Sequence, residues 1–591
     1  MLLPIIPKNY NKIDKIFIFI IIIVSLGLFW LNYTNRISIN QLLIGEITLS
    51  LALVALLLPP GSDIKSLSLP ISFPLWVLPV AVYLVSEVEI LLFRHTGLCY
   101  LLTLALALIL TVLAEEKPAK KVAMTMSIIG VSLIPLYSLY VPSFGNDTWR
   151  DIIWALRTLK VGHVTKTGIS HIAYPFPMVP LEYALMSLVS GLDPAWASVV
   201  TGLLYLLQLP LLVFLLSRRF GGFDDFKGAF VLLMVPLVVK WSAWYIPQVY
   251  SLTLFLTAFL AGSALLRIPL LVAGVFGHGG VATWMVLTTA ALWISKRGRE
   301  TAAMLLNLII IFAAYVIYTS LLYALSNAYN GVMEAVLAFL RGEKILVAAA
   351  PVLVAPPTTS LGNLALSVLS VSGLLVILYG RGSARTLAFL SGTFLVIAYI
   401  GASAFPAADL SRYLGLPSAA MLAVFAPYAF ELLRRRRYGS LYSLLLVAVA
   451  IFSFAYSGVF APKNPYTNPY ELSLSGLVSY GDALQIRTIS QLLAPGTYLT
   501  DWRSGLFIAS TYLDIQPQYR GFRYKGIEFI FGGSYGLYVD LAYLQHFSGL
   551  IILRQESSNM SEVYSPDVFV VAKNLNNSIF YSNNDVTVWA R

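Results

Sequence analysis

Long apolar runs dominate the first 462 residues and restrict the folds open to this chain. About fifteen such runs are present, at 16–31, 42–58, 75–93, 98–114, 122–140, 195–216, 228–246, 247–266, 269–283, 284–295, 302–323, 361–379, 386–404, 414–430 and 441–461. Most approach the roughly 20 residues that a helix needs to cross a bilayer. Of all residues, 58% are hydrophobic and 11% are charged, far from the roughly 25% charged residues of soluble domains. The sequence therefore predicts an α-helical polytopic membrane bundle of about 13–15 transmembrane helices.

The charged residues between the runs predict an orientation. If the N-terminus is cytoplasmic, 20 of the Lys and Arg residues before position 463 fall inside and 10 outside, as the positive-inside rule requires. The acceptor triplets for N-glycosylation at Asn32, Asn146, Asn559 and Asn576 all fall on the predicted outer side. We expect a multi-pass protein of the cell membrane with a cytoplasmic N-terminus and an extracytoplasmic C-terminus. The net charge of +11 follows from the loops, and no basic stripe indicates nucleic acid as a partner.

Three parts are expected along the chain. Residues 1–121 hold the N-terminal transmembrane helices, and the first run lacks a small-residue cleavage site, which predicts an uncleaved helix. Residues 122–462 form a second transmembrane module with a long outer loop at 141–194. Beyond position 463, short β-rich runs such as 549–553, 567–571 and 585–589 predict a small extracytoplasmic domain of mixed α/β structure.

The outer loop at 141–194 carries the polar residues of greatest interest. Loops beyond about 12–15 residues are uncommon unless they are functional. Asp147 follows a Gly145-Asn146 turn at the start of a predicted helix, and Asp151 shares its helical face with Arg150 beside it. Asp147 is equally consistent with an N-cap of that helix. A carboxylate at the apolar boundary of a membrane also suits the role of a general base, because partial desolvation raises its pKa.

Several segments together resemble the GT-C superfamily of polyprenyl-phosphate-dependent membrane glycosyltransferases. The first is an outer Asp after a transmembrane helix, followed by an amphipathic helix ending near Gly162 and by a Tyr174-Pro to Pro180-Leu segment. The later segments are Ser217-Arg-Arg-Phe-Gly, Phe276-Gly-His278-Gly-Gly and Asp409-Leu-Ser-Arg412-Tyr413. The resemblance covers roughly residues 122–462 and extends in architecture to the outer C-terminal domain. Within this superfamily, the chain is similar to protein mannosyltransferases and aminoarabinose transferases.

The resemblance implies a role for particular residues. Asp147 takes the place of the catalytic carboxylate, which activates an acceptor while a sugar leaves a lipid phosphate. Arg412 and its neighbour Tyr413 are candidates for substrate binding, since a guanidinium can contact phosphate oxygens in a bidentate way. A salt bridge from Arg412 to Asp409, or a role as an anchor at the membrane interface, is the alternative.

Other polar residues are candidates for substrate binding because of where they lie in the sequence, in the outer loop or within an apolar segment. These are Arg150, Asp151, His163, Glu182 and His278. His278 lies between two glycines within an apolar segment, where a hydrogen-bonded packing role competes with a site role. The spacing of these residues matches no metal motif, so no metal ligand is assigned, and dependence on a divalent metal stays undetermined.

Two differences from the superfamily's sequence patterns bear on the expected activity. The Trp-Trp-Asp-Tyr-Gly signature of oligosaccharyltransferases is replaced here by Asp501-Trp502-Arg503-Ser504-Gly505, which favours transfer of a single sugar. Asp147 is followed by Thr148, and the next carboxylate, Asp151, comes one turn later.

The expected function is transfer of a sugar from a polyprenyl-phosphate carrier to a lipid, glycan or protein acceptor at the outer face. The expected partners are therefore membrane lipid, the lipid-linked sugar and that acceptor. A transporter or flippase, or a non-catalytic protein of envelope assembly, remains an alternative function.

Overall fold

The helices of this protein are followed by a sheet at its C-terminal end. The computed structural model describes residues 12–34, 37–59, 77–93, 98–139, 146–163, 177–243, 245–318, 361–404, 414–457, 488–500, 521–531, 550–554, 579–582 and 586–590, with a few isolated positions. In these ranges the helices are α1 (Lys12–Tyr33), α2 (Ile39–Leu57), α3 (Val77–Phe93), α4 (Leu98–Leu113), α5 (Pro118–Leu139), α6 (Asn146–Val161), α7 (Met178–Ser190), α8 (Pro194–Gly221), α9 (Lys227–Leu233), α10 (Pro236–Ala243), α11 (Pro247–Leu260), α12 (Ala264–Gly277), α13 (Gly279–Lys296), α14 (Arg299–Tyr318), α15 (Leu364–Tyr379), α16 (Gly382–Ala404), α17 (Leu416–Arg434) and α18 (Gly439–Tyr456).

Each predicted apolar run coincides with helical structure, which confirms the helical membrane bundle. Within the described residues, seven helices are long and apolar enough to cross a membrane: α1, α2, α8, α14, α15, α17 and α18. The sequence predicts short or broken runs near 230–295, and the run at 228–246 does form two short helices, α9 and α10, that meet just before Pro236. Proline lacks the amide proton that would continue the first helix. The chain is a multi-pass membrane protein.

Close helix contacts in the bundle depend on glycine. A Cβ atom built on Gly228 of α9 would lie 2.1 Å from the carbonyl oxygen of Ala423 in α17. One built on Gly202 of α8 would lie 2.8 Å from the carbonyl oxygen of Ala243. Such contacts bring backbones together where the surrounding lipid provides no hydrophobic drive for association.

A buried ion pair joins the first helix to the late helices. The Asp14 carboxylate of α1 is 1% exposed and lies 3.3 Å from Nη2 of Arg436, while the Tyr379 hydroxyl donates to it. Arg436 also donates to the carbonyl oxygen of Leu58 over 3.2 Å. These contacts hold the N-terminal helices against α15 and α17.

The C-terminal part contains a six-stranded mixed sheet, which confirms the expected change of structure. Its strands are β1 (Gly496–Thr500), β2 (Gly521–Tyr524), β3 (Ile527–Phe531), β4 (Leu550–Arg554), β5 (Ile579–Ser582) and β6 (Val586–Ala590), in the order β2-β3-β1-β4-β6-β5. β1 pairs in parallel with β3 and β4, and the stacked rings of Tyr498 and Phe529 lie 5.2 Å apart at its centre. The predicted strand at 567–571 lies outside the described residues.

Candidate functional site

Helix α6 places the first group of candidate residues. It begins at Asn146, so Asp147 occupies its first turn, although the Asp147 side chain lies outside the described residues. Positions 150–155 are buried, whereas Lys160 and the following residues are exposed, so burial decreases along α6 toward its C-terminal end. The buried part of α6 directly follows the turn that carries Asp147.

An ion pair forms within α6 one turn after Asp147. Nε of Arg150 lies 3.3 Å from Oδ1 of Asp151, and Asp151 is fully buried. The Arg150 guanidinium also packs over the Trp154 ring, 5.4 Å from its centroid. A carboxylate in an apolar interior needs such pairing, because an isolated buried charge is very costly. The pairing with Arg150 thus accounts for the burial of the Asp151 carboxylate.

Helix α7 packs against α6 and carries Glu182. Thirteen residues give it a length of about 20 Å, too short to cross a hydrocarbon core of about 30 Å. Tyr183, the next residue, is fully buried. Burial, then the charges of Asp151 and Glu182, raise the pKa of its hydroxyl. Asp151, Arg150 and Glu182 therefore lie within electrostatic reach of one hydroxyl, and the fold brings these three predicted residues together.

Tyrosines surround the Glu182 carboxylate. The Tyr205 hydroxyl donates to Oε1 of Glu182 over 3.2 Å, and the Tyr245 hydroxyl donates to Oε2. Tyr183 donates to the carbonyl oxygen of Tyr245 over 3.3 Å, and the rings of Tyr205 and Tyr250 lie 6.0 Å apart. Burial raises the pKa of Glu182 to about 7, and the hydrogen bond from Tyr205 opposes that rise. We call these five residues the Glu182 cluster.

Helix α11 extends the Glu182 cluster with two further polar side chains. Gln248 and Ser251 flank Tyr250 and are 4% and 0% exposed. Among the described residues, Oε1 of Gln248 and Oγ of Ser251 have no hydrogen-bond partner. Buried polar atoms of this kind need an explanation.

His278 joins the same region from the end of α12. Its Nδ1 accepts from the backbone N–H groups of Gly280 and Val281, over 3.2 and 3.4 Å. It therefore caps α13, and the neutral ring carries its proton on Nε2. A Cβ atom on Gly277 would lie 2.6 Å from the Tyr250 ring, so the glycine before His278 lets this segment touch the Glu182 cluster.

The remaining predicted residues lie elsewhere. His163 is exposed beyond the last turn of α6, with Nδ1 3.3 Å from the carbonyl oxygen of Val161. Arg412, Tyr413 and Asp409 lie outside the described residues. Within the described part of the chain, no group of three His, Cys, Asp or Glu residues could hold a metal ion.

The tyrosines of the Glu182 cluster were not predicted from the sequence. Tyr205, Tyr245 and Tyr250 fall within apolar runs, and a buried tyrosine hydroxyl usually finds a hydrogen-bond partner. Glu182 lies in an otherwise apolar helix, in a chain with few charged residues. The two observations together could have indicated a carboxylate with tyrosine partners.

Comparison with known proteins gives only remote likeness. No protein-family model matches the chain, and no curated protein matches it. Among solved structures, ArnT from Cupriavidus metallidurans bound to undecaprenyl phosphate is 12% identical, with a TM-score of 0.32 over 79% of this chain and 96% of ArnT. The same ArnT in the apo state is 11% identical, with a TM-score of 0.30 over 75% of this chain and 92% of ArnT. Scores at this level establish no family for the chain.

Proposed function

We propose that this protein is a membrane glycosyltransferase that moves a sugar from a polyprenyl-phosphate carrier to an acceptor at the outer membrane face. Asp147 acts as the general base. One observation carries the proposal: Asp147 lies in the first turn of α6, and the residues that follow it at positions 150–155 are buried. A base must be held within hydrogen-bond reach of the proton that it removes.

The proposed reaction needs few protein groups. The Asp147 carboxylate takes the proton of an acceptor hydroxyl, whose oxygen attacks the anomeric carbon of the sugar. The bond from that carbon to the phosphate oxygen breaks, and polyprenyl phosphate leaves with the electron pair, so the configuration inverts. Arg412, with Tyr413 beside it, is proposed to stabilise the departing phosphate, as cationic groups do in phosphate chemistry.

The Glu182 cluster is proposed to bind the sugar. Its tyrosine hydroxyls, together with Gln248 and Ser251, offer donors and acceptors on buried side chains. Aromatic rings packed beside them, such as Tyr205 and Tyr245 with centroids 4.6 Å apart, add apolar surface of the kind found in ligand sites. His278 is proposed to support the Glu182 cluster, because the segment that contains it packs against Tyr250. Arg150 and Asp151 are proposed to position α6.

The test compares Asp147→Asn with Asp193→Asn in reconstituted protein. A panel of polyprenyl-phosphate-linked single hexoses is offered, and release of polyprenyl phosphate is measured. Loss of a general base lowers turnover by about 100-fold or more, so Asp147→Asn should be nearly inactive on every donor that the wild type uses. Asp193 caps α8 through a hydrogen bond of 2.9 Å from the Ala195 amide, and Asn caps as well as Asp. Asp193→Asn should therefore retain activity, and an active Asp147→Asn variant would reject the proposed base.

A flippase is the second candidate, because α10 and α11 form a bent pair with an angle of 103° between them. Broken membrane helices often line the central site of transporters. A flippase would move lipid-linked sugar across a vesicle membrane without cleaving it, and Asp147→Asn would leave that movement intact.

A further inference from the structure

A small cavity lies at the end of the bundle where α8, α11 and α13 finish and α12 and α14 begin. It has a volume of about 180 Å³. Three cationic side chains line it, namely Arg219, Arg267 and Lys296. They come from three different helices, so the tertiary fold, rather than one basic stretch of sequence, brings them together. We call this the basic pocket.

The cations of the basic pocket are held in place by neutral groups. Arg219 donates to the carbonyl oxygen of Leu260 over 3.0 Å, and Arg267 donates to that of Ala261 over 3.0 Å. Lys296 lies over the Phe220 ring, 5.1 Å from its centroid. These partners fix the side chains without cancelling their charge, and Nε of Arg267 is buried with no hydrogen-bond partner among the described residues.

A single carboxylate, Glu300, lines the basic pocket among its described residues. Its side chain is 81% exposed and lies 3.6 Å from Nη2 of Arg267, whose side chain is 13% exposed. Three cations face this one carboxylate, so the pocket keeps a net positive charge. A larger cavity of about 310 Å³ at the ends of α4 and α17 differs, because four carboxylates face three cations there: Glu116, Asp224, Asp225 and Glu431 against Lys121, Lys227 and Arg434.

Apolar side chains form most of the remaining wall of the basic pocket. They are those of Phe220, Phe259, Leu292 and Met304, with Thr301 as a further polar residue. Exposed apolar residues occur close by along the chain: Leu266 directly precedes Arg267 and is 62% exposed, and Ile294 lies two positions before Lys296 and is 65% exposed. A ligand that fits both features has an anionic head and an apolar tail.

We propose that the basic pocket binds the phosphate-bearing head group of an anionic phospholipid. The two guanidinium groups and the ammonium contact the phosphate oxygens, and the acyl chains lie along the exposed apolar residues of α12 and α13. Basic pockets between transmembrane helices bind anionic head groups in this way. Lipid binding in this pocket does not depend on sugar transfer, so this proposal is independent of the function proposed for Asp147.

The test measures lipid binding by the delipidated protein in detergent. Native mass spectrometry is used to titrate phosphatidylglycerol and phosphatidylcholine, and inorganic phosphate is added as a separate competitor. We expect selective binding of phosphatidylglycerol that is about five-fold weaker in Lys296→Gln and about 25-fold weaker in Arg219→Gln/Arg267→Gln, since each cation near the surface contributes a factor of about five. Arg385→Gln is the matched control, because Arg385 is exposed on α16 outside the pocket, and it should bind as the wild type does.

Three results would overturn the proposal. Equal affinity for the two lipids would show that the pocket ignores head-group charge, and unchanged binding by the double variant would show that phosphatidylglycerol binds elsewhere. Saturable binding of inorganic phosphate that displaces the lipid completely would assign the pocket to free phosphate instead. If the double variant fails to fold, Lys296→Gln decides, because its exposed side chain can be changed without disturbing the core.

Discussion

At the scale of single residues, Glu182 responds to pH in a way that an exposed carboxylate does not. Its pKa rises from 4.5 to about 7 because burial disfavours the charged form. The folded protein therefore keeps the proton at pH values where the unfolded chain has released it. The contribution of Glu182 to stability is therefore most favourable below about pH 4.5 and declines as pH rises through about 7, by at most about 3 kcal/mol.

Glu182→Gln tests this linkage. The amide cannot titrate, so the melting temperature of the variant in detergent should stay level between pH 5 and pH 8 where that of the wild type declines. Asp224→Asn, at a side chain 60% exposed, serves as control and should keep the wild-type slope. Parallel slopes for wild type and Glu182→Gln would mean that another group controls the pH dependence.

The sequence predicts individual site residues well where a charged side chain stands out from its apolar neighbours along the chain. Glu182, Arg150 and Asp151 stand out as charges in an apolar chain, and the fold brings them together. The partners of Glu182 could not be read from the sequence, because Tyr245 lies 63 positions away. His278 was predicted with two possible roles, and its cap of α13 supports the packing role without testing the other.

At the scale of elements, Gly228 and Gly130 should respond oppositely to the same substitution. In Gly228→Ala the new methyl group would lie 2.1 Å from a carbonyl oxygen of α17, so α9 must move away at a cost of about 1–3 kcal/mol. Gly130 of α5 has nothing within 4 Å of an added Cβ, and Ala there gains up to about 1 kcal/mol of helix propensity.

Thermal unfolding of the two glycine variants in detergent gives the measurement. Gly228→Ala should melt below the wild type, and Gly130→Ala should melt at or slightly above it. A loss of equal size in both variants would mean that glycine flexibility, rather than the contact between α9 and α17, is what matters at these positions.

The elements themselves were largely predictable, since hydropathy along the sequence decides which segments can enter a bilayer. Where each helix begins, breaks and ends was less predictable. Short or broken runs were predicted near 230–295, and the run at 228–246 divides at Pro236, but proline in membrane helices is tolerated often enough that its presence alone does not predict where a helix breaks. Strands β4 and β6 were predicted from their composition, but the parallel pairing of β1 with β3 and β4 depends on contacts far apart in the chain.

At the scale of the whole molecule, the ion pair of Asp14 with Arg436 shows how distant segments set the architecture. The two residues are 422 positions apart, and no local pattern predicts their contact. The same limit applies to the proposed site, because whether Asp147 and Arg412 face one cavity depends on how helices separated by hundreds of residues pack.

The orientation of the bundle decides whether the proposed chemistry is possible, because Asp147 and Arg412 must share the outer face. Helix α8, with 28 residues and a length of about 42 Å, separates the turn after Ser190 from the loop at Asp224. The charge bias of the loops predicts that Ser190 faces outward and Asp224 faces the cytoplasm. Both side chains are exposed or largely exposed, so each is accessible to a labelling reagent.

Cysteine labelling in intact cells tests that orientation. In a Cys99→Ala background, which removes the single native cysteine, Ser190→Cys should react with a membrane-impermeant maleimide. Asp224→Cys should react only after the cells are permeabilised. The reverse pattern would place the first turn of α6 on the cytoplasmic side, where an outer-face acceptor cannot reach Asp147, and the proposed transferase would have to be abandoned even if the basic pocket still bound anionic lipid.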